Sequence, residues 1–135
     1  MTIYALSTGS GISGIAVIRV SGKEASLVIK SLTGRALPQP RKATLLKINN
    51  INSSELIDEG IIIWFPGPES YTGEDMAEFH VHGSVAVINA LQTSISKIKN
   101  CRLAEPGEFT KVALLNGKTN LLKAESIADL ISAET

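Results

Sequence analysis

The sequence predicts an α+β fold, a mixed or antiparallel sheet with helices packed on it. Three observations lead there. Strand-like runs occur at 3–7, 15–20, 42–48, 56–65 and 76–82, either unbroken and apolar or alternating apolar with polar. Apolar residues recur at helical spacing in 23–32, 84–98 and 106–116. Strand and helix signals are mixed along the chain, and the polar segment Asn49-Asn50-Ile51-Asn52-Ser53-Ser54 between two strands reads as a hairpin loop.

Ile3 to Ser7 is the first expected strand, followed by the glycine loop Gly9-Ser10-Gly11-Ile12-Ser13-Gly14. Ile15 to Val20 is rich in β-branched residues and makes a second strand. Ser21 stands where it can cap a helix over Lys23 to Leu32, with Ala25, Val28, Ile29 and Leu32 on the inner stripe. Gly34, Pro38 and Pro40 make 33–41 a connector. After the strands 42–48 and 56–65 come Pro66, Pro68 and a polar turn. From Met76 to His82 the alternation is strict. Ala77, Phe79 and Val81 point one way, and Glu78, His80 and His82 the other.

Ser84 is a second expected cap, for a helix to about Ile98 with Val85, Ile88, Leu91, Ile95 and Ile98 on one side. Cys101 to Ala104 fits a short strand. Pro106 suits a helix first turn, Glu108 lies near its positive end, and the helix runs to Asn116 with Gly117 as a left-handed cap. Asn120 starts another helix, and the chain ends inside it. The expectation is a longer protein, with residues 1–119 as an N-terminal domain and 120–135 as the start of a helical one.

A chain of 135 residues with 44% hydrophobic residues holds one ordinary core. It has no apolar run of about 18 residues and no signal-peptide pattern at Met1-Thr2-Ile3-Tyr4-Ala5. Cys101 is the sole cysteine, which excludes an internal disulfide framework. Cytoplasm is the default location and a membrane partner is not expected. Net charge is zero, against a nucleic-acid domain that binds by bulk electrostatics. The charges are uneven: 48–96 has seven acids and no Lys or Arg, whereas 97–123 has six bases and two acids. They read as solvated surface, or as two segments that face each other within a chain or across a dimer.

Several motifs give way to simpler readings. Gly117-Lys118-Thr119 has Val112 where a P-loop needs its first glycine, and follows a helix instead of a strand. Gly9, Gly11 and Gly14 match a dinucleotide loop in spacing, but a strand follows them and no helix dipole faces the loop. Glu78, His80 and His82 share a strand face, yet the chain offers no third histidine, so no metal site is assigned. No catalytic residue stands out. Arg19 inside an apolar strand, Glu78 and Lys118 are charges beside elements that should be packed.

Six ordered blocks then carry a resemblance: Leu56-Ile57-Asp58-Glu59-Gly60; Phe65-Pro66-Gly67-Pro68; Tyr71-Thr72-Gly73-Glu74-Asp75; Glu105-Pro106-Gly107-Glu108-Phe109-Thr110; Leu115-Asn116-Gly117-Lys118; and 124–131. In order and spacing the chain resembles the N-terminal part of the tRNA modification GTPases of the MnmE (TrmE) family. The resemblance implies a fold similar to the folate-binding part of aminomethyltransferases, a constitutive homodimer and a bound tetrahydrofolate, either 5-formyl- or methylene-tetrahydrofolate. It implies folate contacts at Arg19, Glu78 and Lys118. It implies that GTP, Mg2+ and K+ belong to a G domain outside this chain. The flavoprotein MnmG would be a partner, and the wobble uridine of tRNA the site modified. The alternatives are a free-standing folate-dependent aminomethyltransferase-like enzyme and a dimerisation scaffold without ligand. The chain departs from the family at Ser7 to Gly14, at His80-Val81-His82-Gly83-Ser84 in place of Gln-Gly-His-Gly-Gly, at Glu105 and in 111–115.

Overall fold

The computed structural model describes residues 1–7, 14–120 and 122. The glycine loop and the expected helix after Asn120, and with it the boundary at 119/120, lie outside or at the edge of these residues. The described elements are β1 (Thr2–Leu6), β2 (Ile15–Ser21), α1 (Ala25–Thr33), β3 (Thr44–Asn49), β4 (Leu56–Phe65), β5 (Met76–His82), α2 (Val85–Ser96), β6 (Cys101–Leu103) and α3 (Glu108–Leu115). The strands form one six-stranded sheet in the order β3-β4-β5-β2-β1-β6. Neighbours are antiparallel except β1 and β6, which run parallel. The fold is therefore α+β with a mixed sheet, as the sequence pattern implies.

Register sorts the side chains into rows. Leu6, Ile18, Phe79 and Ile62 form one row across β1, β2, β5 and β4, and Tyr4, Val20, Ala77 and Trp64 form the next. These residues face α1 and α2 and make the core with Val28, Ile29, Leu32, Leu91 and Ile95. The alternate rows face the other way. One contains Ala5, Arg19, Glu78 and Ile63; another contains Val17, His80 and Ile61. A period of two thus gives β2 and β5 one apolar face and one face with charge.

Helix α1 buries the stripe expected of it and ends at Gly34, whose φ of 64° suits a left-handed cap. Its start differs. Ser21 is the last residue of β2 and does not cap it; the cap position is Glu24, whose side chain makes no cap bond. The Glu24 N–H donates instead to Thr2 Oγ1 of β1 at 2.9 Å. Ser84 does cap α2, accepting from the Val87 N–H at 3.2 Å. Val85, expected inside, is 74% exposed. At 3.6 residues per turn it stands about 120° around the helix from Leu91, off the buried stripe. Helix α3 begins at Glu108 after Gly107, which takes a φ of 75°.

Among the described residues no helix is long and apolar enough to cross a membrane. Among these same residues the two oppositely charged segments meet where 66–75 touches α3, through neutral hydrogen bonds and not through their charges. Arg102 pairs with Glu108 inside its own segment, and no ion pair joins 97–122 to the acids of 48–96.

Candidate functional site

Arg19 and Glu78 are cross-strand partners at the middle of the sheet, on the face away from α1 and α2. Arg19 Nη2 donates to Glu78 Oε2 at 3.4 Å, with the two side chains 28% and 18% exposed. The other carboxylate oxygen, Oε1, is 3.0 Å from His80 Nε2. Two aromatic rings flank the guanidinium, Tyr71 at 5.3 Å and Phe109 at 5.9 Å from Arg19 Cζ to the ring centroids. Both lie within the range of cation–π attraction. Arg19 Nε, by contrast, is buried and has no hydrogen-bond partner. A buried N–H without an acceptor is unfavourable by about 1–3 kcal/mol, so this atom fits a site that receives an oxygen from a ligand.

The segment 66–75 brings Tyr71 to this place. Ser21 Oγ, fully buried at the end of β2, is 2.7 Å from Thr72 Oγ1 and donates to Glu74 Oε1 at 3.1 Å. The Gly22 N–H donates to Asp75 O at 2.9 Å. Asp75 Oδ1 accepts from the Gly67 N–H at 2.8 Å. Tyr71 Oη reaches Thr110 Oγ1 of α3 at 2.9 Å, and Asn116 Nδ2 donates to Thr72 O at 2.8 Å. These bonds hold α3 against the loop, with Phe109 over Arg19.

Lys118 follows α3, and its backbone N–H donates to Ala113 O at 2.8 Å. Its side chain is exposed, and its stem runs beside Gly73: a Cβ at Gly73 would lie 3.2 Å from Lys118 Cγ. Of the three expected site residues, Arg19 and Glu78 are therefore in contact. Lys118 borders the loop that carries Tyr71, and no hydrogen bond or ion pair joins it to the other two. Tyr71 and Phe109 were not expected from the sequence. A signal existed, since only six residues of the chain are aromatic and both of these lie in the shared blocks.

His82 does not join the group. Its Nδ1 lies 2.9 Å from Asp58 Oδ1, and its backbone N–H donates to Asp58 Oδ2 at 2.8 Å. Burial raises the Asp58 pKa, but these bonds overcome that and leave it below the ordinary value. Glu78, His80 and His82 thus split between two partners, and no cluster of three metal-ligating side chains exists among the described residues. Burial, helped by Glu24, raises the Cys101 thiol pKa, which opposes a nucleophilic role.

The family described as "GTP-binding protein TrmE N-terminus" matches residues 2–118. The chain belongs to this TrmE N-terminal family. Its relatives include the tRNA modification GTPase MnmE of Pelagibacter ubique (strain HTCC1062), 80% identical over the whole chain and 30% of that protein's length. The 5-taurinomethyluridine-[tRNA] synthase subunit GTPB3, mitochondrial, of Danio rerio is 50% identical over 99% of the chain and 27% of that protein. MnmE of Beijerinckia indica is 48% identical over 99% of the chain and 30% of that protein. The TrmE-type chain thus spans under a third of the length of these relatives.

Proposed function

We propose that this chain is a tetrahydrofolate-binding and dimerising domain of a tRNA modification GTPase. The observation that carries the ligand part is the buried, unpartnered Nε of Arg19, whose guanidinium is paired with the Glu78 carboxylate and lies near the rings of Tyr71 and Phe109. A folate has a flat pterin ring with N–H donors and a carbonyl on its edge, and carries its carboxylates on a glutamate tail. The residues present fit such a group. Glu78 accepts from the amide and amine edge, as a carboxylate can take two hydrogen bonds side by side. Arg19 and Lys118 hold the oxygens. The ligand is 5-formyl- or methylene-tetrahydrofolate, which supplies a one-carbon unit when bound.

The longer protein, in this reading, hydrolyses GTP with Mg2+ and K+ in a G domain outside this chain. Within the chain, Val112 stands in place of the first P-loop glycine. It works in the cytoplasm as a homodimer with the flavoprotein MnmG, and modifies C5 of the wobble uridine of tRNA. The relatives' names support the tRNA and GTPase parts.

Isothermal titration with 5-formyl-tetrahydrofolate tests the ligand. The chain should bind it, and Glu78→Ala should lose binding while melting within a few degrees of the parent. Unchanged affinity in that variant refutes the assignment. Sedimentation equilibrium tests the dimer, and a monomer at micromolar concentration counts against it.

A further inference from the structure

Glu78 is held on both oxygens, by Arg19 at 3.4 Å and by His80 at 3.0 Å. An ionised carboxylate only accepts, so His80 Nε2 carries hydrogen, and the neutral ring keeps its lone pair on Nδ1. A second proton, on Nδ1, turns His80 into a cation without breaking the bond to Glu78. Glu78 is then one anion between two cations. Both side chains are mostly covered, His80 29% and Glu78 18% exposed, so water screens this pairing only in part.

The surroundings single out Glu78 as the group that senses the change. Val17 on β2 and Ile61 on β4 stand directly across from His80. Further along the same face, β2 offers Ile15 and Arg19, and β4 offers Ile63 and the exposed Glu59, which is paired in register with Lys47 of β3. On its own strand, His82 is turned to Asp58. Helix α3 contributes Phe109, which faces Arg19. The acid bonded to His80 is Glu78.

We infer that His80 is a positioning residue whose charge sets how well Glu78 accepts a ligand's N–H edge. This rests on the folate reading above. Neutral, His80 steadies the carboxylate and leaves lone pairs for the ligand. Charged, it competes for them. Ligand affinity should therefore fall as pH is lowered and the ring gains its second proton.

The chain has only two histidines, which makes the test clean. Affinity for 5-formyl-tetrahydrofolate is measured from about pH 8 to about pH 5.5 by titration calorimetry on the 135-residue chain and two variants. The parent should bind roughly five- to tenfold more weakly at the lower pH, a coupling of ordinary size. His80→Gln, which keeps a donor toward Glu78 but cannot gain charge, should show a flat profile. His82→Gln should behave like the parent. Nitrogen-15 spectra of the ligand-free chain at about pH 8 should show the Nε2–H tautomer at His80. A flat parent profile, equal slopes in parent and His80→Gln, a profile flattened by His82→Gln, or the Nδ1–H tautomer overturns this inference alone. Absence of binding at every pH overturns the folate reading and this inference with it.

Discussion

Arg19 is a charge placed in the middle of an apolar strand, and its neighbours explain how it is tolerated. Glu78 neutralises it, the rings of Tyr71 and Phe109 lie within cation–π distance, and its buried Nε–H has no acceptor. Lysine keeps the charge but has neither the planar face nor Nε, so Arg19→Lys should weaken folate binding about tenfold or more by calorimetry, with the fold intact. Arg19 and Glu78 were legible in the sequence because an ionised side chain inside a strand pattern asks for a partner. Tyr71 and Phe109 were not, because their contact with Arg19 depends on how α3 docks. Gly73 gives a second test at this scale. Its φ is 84°, and a Cβ there would lie 3.1 Å from Asn116 Cβ and 3.2 Å from Lys118 Cγ. Gly73→Ala should destabilise the chain by about 1–2 kcal/mol in urea unfolding, and should displace Lys118.

At the scale of elements, periodicity located each strand and helix that the described residues contain, with ends off by a residue or two. The errors have local causes. Ser21 looked like a cap, but its hydroxyl is taken by Thr72 and Glu74 on the sheet's other face. The role fell to Thr2, which a linear reading could not connect with α1, since the contact spans β1 and the residues before the helix. Thr2 is 1% exposed, so Thr2→Val keeps its shape and leaves the Glu24 N–H without an acceptor. The expected loss is about 1–2 kcal/mol, measurable by denaturant titration. Between β6 and α3, Arg102 donates to Glu108, whose carboxylate also accepts the Glu105 N–H at 2.9 Å. The Arg102 bond, outweighing the upward push of partial burial, holds Glu108 down to about 2 from an ordinary 4.5. A depressed acid stabilises the fold above its unfolded value and loses that contribution as pH falls through the folded one. The melting temperature should therefore drop between pH 4.5 and about 2, and Glu108→Gln should lessen the drop.

For the whole molecule, the fold class could be read from the chain, but the strand order could not. Nothing in the spacing of β2 and β5 says that they lie side by side, or that β6 joins β1 in parallel, because pairing over such separations is decided by which apolar faces meet under α1 and α2. The two faces of the sheet then make separable demands. Phe79 is fully buried on the helix side, and Phe79→Ala should cost about 3–5 kcal/mol of global stability. Glu78, its neighbour on the opposite side, should lose ligand without comparable unfolding. Circular dichroism melts of the two variants in parallel decide whether stability and binding divide between the faces in this way.

The anchoring of 66–75 has a dynamic counterpart. An excursion without regular secondary structure ordinarily frays on its own, opening far more often than the sheet beneath it. Here the Gly73 N–H is tied to Ser70, the Glu74 N–H to Thr72 Oγ1 and the Gly22 N–H to Asp75 O. In deuterated water these amides should therefore exchange on the timescale of the central strands, and the ring of Tyr71 should find Arg19 already in position.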